Sequence, residues 1–134
     1  MRERKINGIQ HITIISNDLE VTDKFYTEVM GFVKIDRPDL GFDGSWYMIN
    51  NNNAQQLHVI EDKGYMPDMD HVEDIYPVGF EAEGYGEMIT HLRDCNVEFR
   101  FEEIGYKCKQ MKVFFYDPSG VLIELNYKKS SEWI

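Results

Sequence analysis

The 134-residue chain is 43% hydrophobic and carries a formal charge of −10, so it can bury a core as one compact domain or as two small halves. That charge speaks against a nucleic-acid backbone, which needs clustered Lys and Arg to displace counterions. No segment has the unbroken apolar length of a membrane span and MRERKINGIQ lacks the apolar stretch of a secretion signal, so the expectation is a cytoplasmic protein without a membrane partner. Cys95 and Cys108 have no metal-knuckle or redox spacing and are expected to be reduced thiols.

In chain order, IQHITII (9–15) is β-rich. In NDLEVTDKFYTEVMGF, Leu19, Thr22, Phe25, Tyr26 and Val29 then recur at helical spacing. Asp18 or Asn17 can cap that helix and Gly31 can end it. FVKID, the loop RPDLGFDG, WYMIN, a polar tip and QLHVIE complete a strand, helix, strand, strand, strand series. The acidic stretch 62–74, broken by Gly64 and Pro67, is the natural linker between modules 8–61 and 75–128. YPVGFEAE, the helix YGEMITHLRDCN, EFRFEEI, QMKVFFY and VLIELNY then repeat the order.

A constant offset of 66 (124 less 58) aligns the halves, setting Ile14 on Phe80, Tyr26 on Leu92, Val33 on Phe99 and His58 on Glu124. The same offset sets His11 on Pro77. If two βαβββ halves pack about a pseudo-twofold axis, positions 11, 58, 77 and 124 ring one site, and three of the four are His11, His58 and Glu124. Two imidazoles and a carboxylate suit a divalent ion with open positions, with Zn, Ni, Fe, Mn and Co all candidates. Such an ion would also supply the positive charge that Glu124 needs between Ile123 and Leu125.

Taken singly, each histidine is more simply a hydrogen-bonded strand residue, and Glu124 a solvent-facing acid on an edge strand. His91 falls on the position of Phe25 and is expected at the helix face or in water. His71, six residues before Pro77, could swing in as a replacement ligand. The loop RPDLGFDGSWY offers Arg37 and Trp46 to a pocket for an anionic or aromatic ligand, with a surface loop and a core Trp46 as the plain alternative. DPSG (117–120) fits a type I turn that aims Glu124.

GIQHITIISNDLEVTDKFYTEVMGF and FFYDPSGVLIELN resemble the opening and closing signatures of the vicinal oxygen chelate superfamily, which includes glyoxalase I, fosfomycin and bleomycin resistance proteins and extradiol dioxygenases. The resemblance runs from about Gly8 to Tyr127. It implies an α+β fold of two tandem βαβββ modules forming a cupped mixed sheet in a single 1–134 domain, often as a homodimer. It also implies His11, His58 (a Glu in glyoxalase I) and Glu124 as metal ligands, with Glu124 also moving the proton. Pro77 departs from the histidine that the family most often places there and has no donor for a metal. Three functions stay open: a lyase or isomerase acting through a divalent metal on a small oxygen-chelating substrate, an extradiol-type dioxygenase, and a metal-free protein that sequesters a drug or metabolite.

Overall fold

The structure, a computed structural model, describes residues 3–51, 54–67, 77–104 and 110–128. Cys108 and His71 lie outside the described residues. The chain divides into two compact units, Met1–Tyr65 and Met66–Ile134. Each contains one four-stranded mixed sheet, and together they give an α+β fold of two repeated modules.

In the first unit, β1 (His11–Ser16) is followed by α1 (Leu19–Lys24), a π-helical turn (Phe25–Val29), β2 (Val33–Ile35), β3 (Gly44–Met48) and β4 (Gln56–Glu61), in the sheet order β1-β4-β3-β2. Asp18 caps α1 by accepting from the Val21 N–H at 3.3 Å, and Gly31 takes the left-handed φ of +74° that turns the chain away. The helical segment drives Phe25, Tyr26 and Val29 into the core, where Tyr26 meets Tyr47 at 5.6 Å between ring centroids. Strand alternation therefore puts Ser45, Tyr47, Leu57 and Val59 on the helix-covered face. Beneath the helix the Tyr47 hydroxyl donates to Asp23, which also meets Lys34 Nζ at 2.9 Å. Burial pushes the Asp23 carboxyl up, but the nearby Ser45 hydroxyl and hydrogen bonds from Tyr47 and Lys34 more than offset it and hold the group below its ordinary value.

In the second unit, β5 (Val78–Glu81), α2 (Tyr85–Asp94), β6 (Arg100–Ile104), β7 (Gln110–Tyr116) and β8 (Leu122–Tyr127) form the order β5-β8-β7-β6. Ile89 and Leu92 of α2 are buried, and Tyr85 meets Tyr127 edge-on at 5.6 Å. Val113, Phe115, Ile123, Leu125 and Tyr127 thus form the helix-covered face. The β7–β8 turn closes through Asp117, whose Oδ1 accepts from the Ser119 and Val121 N–H groups at 2.8 and 2.9 Å while its carbonyl accepts from Gly120 at 3.1 Å.

The ladders refine the internal repeat. Thr13 pairs with His58 and Gly79 with Glu124, so the offset of 66 (79 less 13) holds for the two inner parallel pairs. Trp46 pairs with His58, whereas Phe114 pairs with Glu124, which sets β3 and β7 apart by 68 (114 less 46). Arg100 pairs with Phe114 as Ile35 pairs with Trp46, so Ile35 matches Arg100 and the expected match of Val33 with Phe99 slips by one. The physical cause is the shorter hairpin around Asp117, which brings β7 and β8 together sooner than the polar tip joins β3 and β4. Glu124 lies on a central strand, flanked by β5 and β7, so the edge-strand reading of this acid falls.

Candidate functional site in the first unit

The face of the first sheet turned away from its helix carries His11 and Thr13 from β1, Gln56 and His58 from β4, and Gly44 and Trp46 from β3. Side chains on neighbouring strands of one face stand side by side, and here they are rings. His58 is sandwiched, with His11 at 3.9 Å and 15° on one side and Trp46 at 4.3 Å and 7° on the other. Trp46 is thereby half-buried on the open face and not part of the core. The His11 Nδ1 donates to Gln10 Oε1 at 2.7 Å and the His58 Nε2 to Gln56 Oε1 at 2.8 Å, which leaves the His58 Nδ1 as the accepting nitrogen of its ring. Burial first, then the neighbouring His11 and the Arg37 guanidinium, hold the His58 imidazole below its ordinary value. His58 is therefore neutral at neutral pH and able to accept a proton.

Arg37 reaches the same face because of a glycine. A Cβ built on Gly44 would stand 3.0 Å from both Cζ and Nε of Arg37 and 2.3 Å from the Val59 carbonyl oxygen. Only a glycine lets the guanidinium lie down on the strand there. Arg37 Nη1 donates to the Phe42 carbonyl at 2.9 Å, and Cζ lies 4.9 Å from the Phe42 ring centroid. Nη2 is buried with no hydrogen-bond partner, an arrangement that costs about 1–3 kcal/mol or more for a charged donor. Sequence pattern named Arg37 and Trp46; it missed Gly44, whose signal was its place two residues before Trp46 on the same face of a strand.

Glu124 is placed differently. On the helix-distal face of the second sheet it meets Lys112 Nζ at 3.2 Å and accepts from Asn126 Nδ2 at 3.1 Å. Both ion-pair partners are largely buried, with side chains 23% and 16% exposed. The cation that a carboxylate in this strand requires is thus supplied by the next strand, through Lys112. Gly79 lies against it, with an ideal Cβ 3.3 Å from Glu124 Oε2, and Pro77 precedes β5 two residues upstream. Further along this face, Arg100 lies 4.4 Å from the Phe114 ring and pairs with Glu102 at 2.9 Å. A cavity of about 200 Å³ opens there between Arg100, Phe114, Tyr116 and Leu122. His91 packs on its own helix with Nε2 3.7 Å from Cys95 Sγ.

Imidazole lone pairs lie in the ring plane, and two rings stacked nearly parallel at 3.9 Å send theirs side by side without converging. Glu124 has its charge met by Lys112. Among the described residues of either unit, no three His, Cys, Asp or Glu side chains gather as a metal-holding group. No helix among the described residues is long and apolar enough to cross a membrane.

Comparison with known proteins places this geometry. Over 130 residues the chain is 25% identical to Glyoxylase I 4 of Arabidopsis thaliana, covering 90% of this chain and 70% of that protein. A glyoxalase/dioxygenase from Nostoc punctiforme shares the fold at a TM-score of 0.75 and 15% identity, covering 92% of each chain. A genomically encoded fosfomycin resistance protein from Listeria monocytogenes shares it at a TM-score of 0.71 and 19% identity, covering 97% of this chain and all of the other. The family pattern itself matches residues 8–125, and the chain belongs to the Glyoxalase/Bleomycin resistance protein/Dioxygenase superfamily.

Proposed function

We propose that the protein handles a small oxygen-bearing molecule on the helix-distal face of its first sheet, with His58 as the group that accepts a proton from it. The observation that carries this reading is the ring stack of His11, His58 and Trp46 beside a guanidinium with an unused donor. A neutral imidazole fixed between two rings is pre-oriented as a base. Gln56 sets its tautomer by accepting from Nε2, which leaves Nδ1 to take the proton. Trp46 and His11 shield the ring from water and limit its rotation, so an abstracted proton stays at a defined place. The superfamily's enzymes and its drug-resistance proteins both work on small molecules, which agrees with a ring-lined surface of this size. The reading is tested by following the histidine and Trp46 side-chain NMR signals while carbonyl and carboxylate fragments are added. Fragments that move Trp46 and His58 together support it; fragments that bind and move only second-unit signals contradict it.

A second reading keeps the divalent ion, with His11, His58 and Glu124 as ligands and Glu124 moving the proton. The donor types favour it, since neutral imidazoles and a carboxylate are what such an ion selects, and bound there it would polarise a substrate oxygen as a Lewis acid. It requires His11 to turn off His58 and Glu124 to leave Lys112. Elemental analysis of protein purified without added metal separates the two: near-stoichiometric Zn, Ni, Fe, Mn or Co supports the ion, and its lack supports metal-free chemistry or binding. A homodimer belongs to either reading, and sedimentation at micromolar concentration checks it.

A further inference from the structure

The two open sheet faces can be superposed residue by residue through their ladders. Gly44 pairs with Ile60, and Lys112 with Asn126, two positions along from the pairs Trp46–His58 and Phe114–Glu124. Gly44 and Lys112 are therefore equivalent, as are His58 and Glu124. In the second unit the cation grows from the strand itself as Lys112, and its anion, Glu124, stands on the neighbouring strand at 3.2 Å. In the first unit the strand position is Gly44, and the cation is brought over it by Arg37. The residue in the place of Glu124 is His58, which carries no negative charge. Among the described residues no ion pair to Arg37 is found, and its Nη2 is buried without an acceptor. Of the acids on the same loop, Asp39 has its Oδ1 turned to the Gly41 N–H, from which it accepts at 2.9 Å.

We infer that Arg37 is the anchor for an oxyanion carried by the ligand, a carboxylate or a group of the same charge and geometry, seated beside His58 in the first unit where Glu124 sits beside Lys112 in the second. This rests on the reading of the first-sheet face as the working surface, and it adds the ligand's chemical class. A guanidinium suits this task because its planar fork directs a donor while another is already tied, here Nη1 to the Phe42 carbonyl. The loop that carries Phe42 covers the site: the residue is 48% exposed and its ring centroid lies 4.9 Å from Arg37 Cζ, so the ligand enters by displacing it. The rest of the ligand then meets the edges of Trp46, His58 and His11. Its reacting carbon-bound proton lies within reach of His58, close to the oxyanion.

The probe is benzoate, with benzyl alcohol as the uncharged ring of similar size and chloride at matched ionic strength as reference. Wild type is expected to bind benzoate saturably and at least about tenfold more tightly than benzyl alcohol, and Arg37→Gln to lose that preference. Saturable binding that is absent in wild type, or equal in wild type and Arg37→Gln, overturns the inference. A second arm needs no ligand: His58→Glu places the second unit's anion in the first. His58→Glu is expected to melt at a higher temperature than His58→Gln, with the difference vanishing when Arg37 is also Gln. A difference that persists without Arg37, or never appears, overturns the pairing. The two levels fail separately. Arg37-dependent benzoate binding that leaves Trp46 and His58 signals unmoved keeps the oxyanion anchor and removes the ring face as the working surface. Equal shifts of those signals by benzoate and benzyl alcohol, independent of Arg37, keep the ring face and remove the anchor.

Discussion

The open faces of the two sheets share a strand order and the register of their inner parallel pair, yet they treat charge in opposite ways. In the second unit Lys112 meets Glu124 and Arg100 meets Glu102, so the charges cancel within the face. In the first unit Arg37 lies near His58, and no ion pair to it is found among the described residues. The same module thus matches its charges within the face in one unit and sets a cation beside an imidazole in the other. The difference comes down to two positions per unit: Gly44 with His58 against Lys112 with Glu124.

The largest expected contrast is between the aromatic partners of those positions. Phe114 is 8% exposed, and Phe114→Ala should cost about 3–4 kcal/mol in a urea melt. Trp46→Ala removes a half-buried ring and should cost about 1 kcal/mol of fold stability while abolishing ligand-induced shifts at His58. Similar losses for both would erase the division of labour between the units. Next comes Gly44→Ala, whose Cβ would press on a backbone oxygen at 2.3 Å and displace Arg37. Its expected cost is about 3 kcal/mol, against about 2 kcal/mol for Lys112→Met, which leaves the largely buried Glu124 without its cation but introduces no clash. Differential scanning calorimetry of the two variants checks the order.

Beneath the first sheet, Asp23 provides a pH-dependent contribution with a fixed sign. Its folded pKa is lowered, so its stabilisation is complete above the unfolded value of 3.8 and is lost as pH falls through the folded one. Tyr47→Phe removes one of the hydrogen bonds that lower it and should cost about 1 kcal/mol at pH 7. The gap to wild type should narrow below that value in acid melts; a gap that widens on acidification would reverse the assignment. The smallest effect is expected from Gly79→Ala, since its Cβ meets only side-chain ends, Glu124 Oε2 at 3.3 Å and Asn126 Nδ2 at 3.6 Å, and a change under about 1 kcal/mol should leave the Lys112 pair intact.

Much of this was legible from residue order. QLHVIE and QMKVFFY are strands over the stretches that their alternation marks, and Asp18 and Gly31 bound the first helical segment as cap chemistry requires. The offset of 66 found His11, His58 and Glu124 at matched places, and the structure brings His11 and His58 into ring contact. The offset concealed the cation of Glu124, because carrying it unchanged onto β7 sets Trp46 on Lys112 and hides the change of register. The signal was present in DPSG: a tight turn at Asp117–Gly120 fixes the hairpin, which puts Lys112 on the same face as Glu124 and diagonal to it. The first π-helical turn carries no comparable mark, since Phe25 to Val29 has ordinary helical spacing and the wider turn arises only when Met30 N–H reaches back to the Phe25 carbonyl at 3.2 Å. The position of Arg37 was equally hidden, because a side chain lying over a glycine on another strand leaves no periodicity in the chain.

The central claim is that the cation of the first face is open to a ligand and that of the second is not. Isothermal titration of benzoate into wild type, Arg37→Gln and Lys112→Gln in one buffer measures this directly. The account predicts that Arg37→Gln weakens binding by about tenfold or more while Lys112→Gln binds as wild type does. Loss of binding in Lys112→Gln with retention in Arg37→Gln would contradict it.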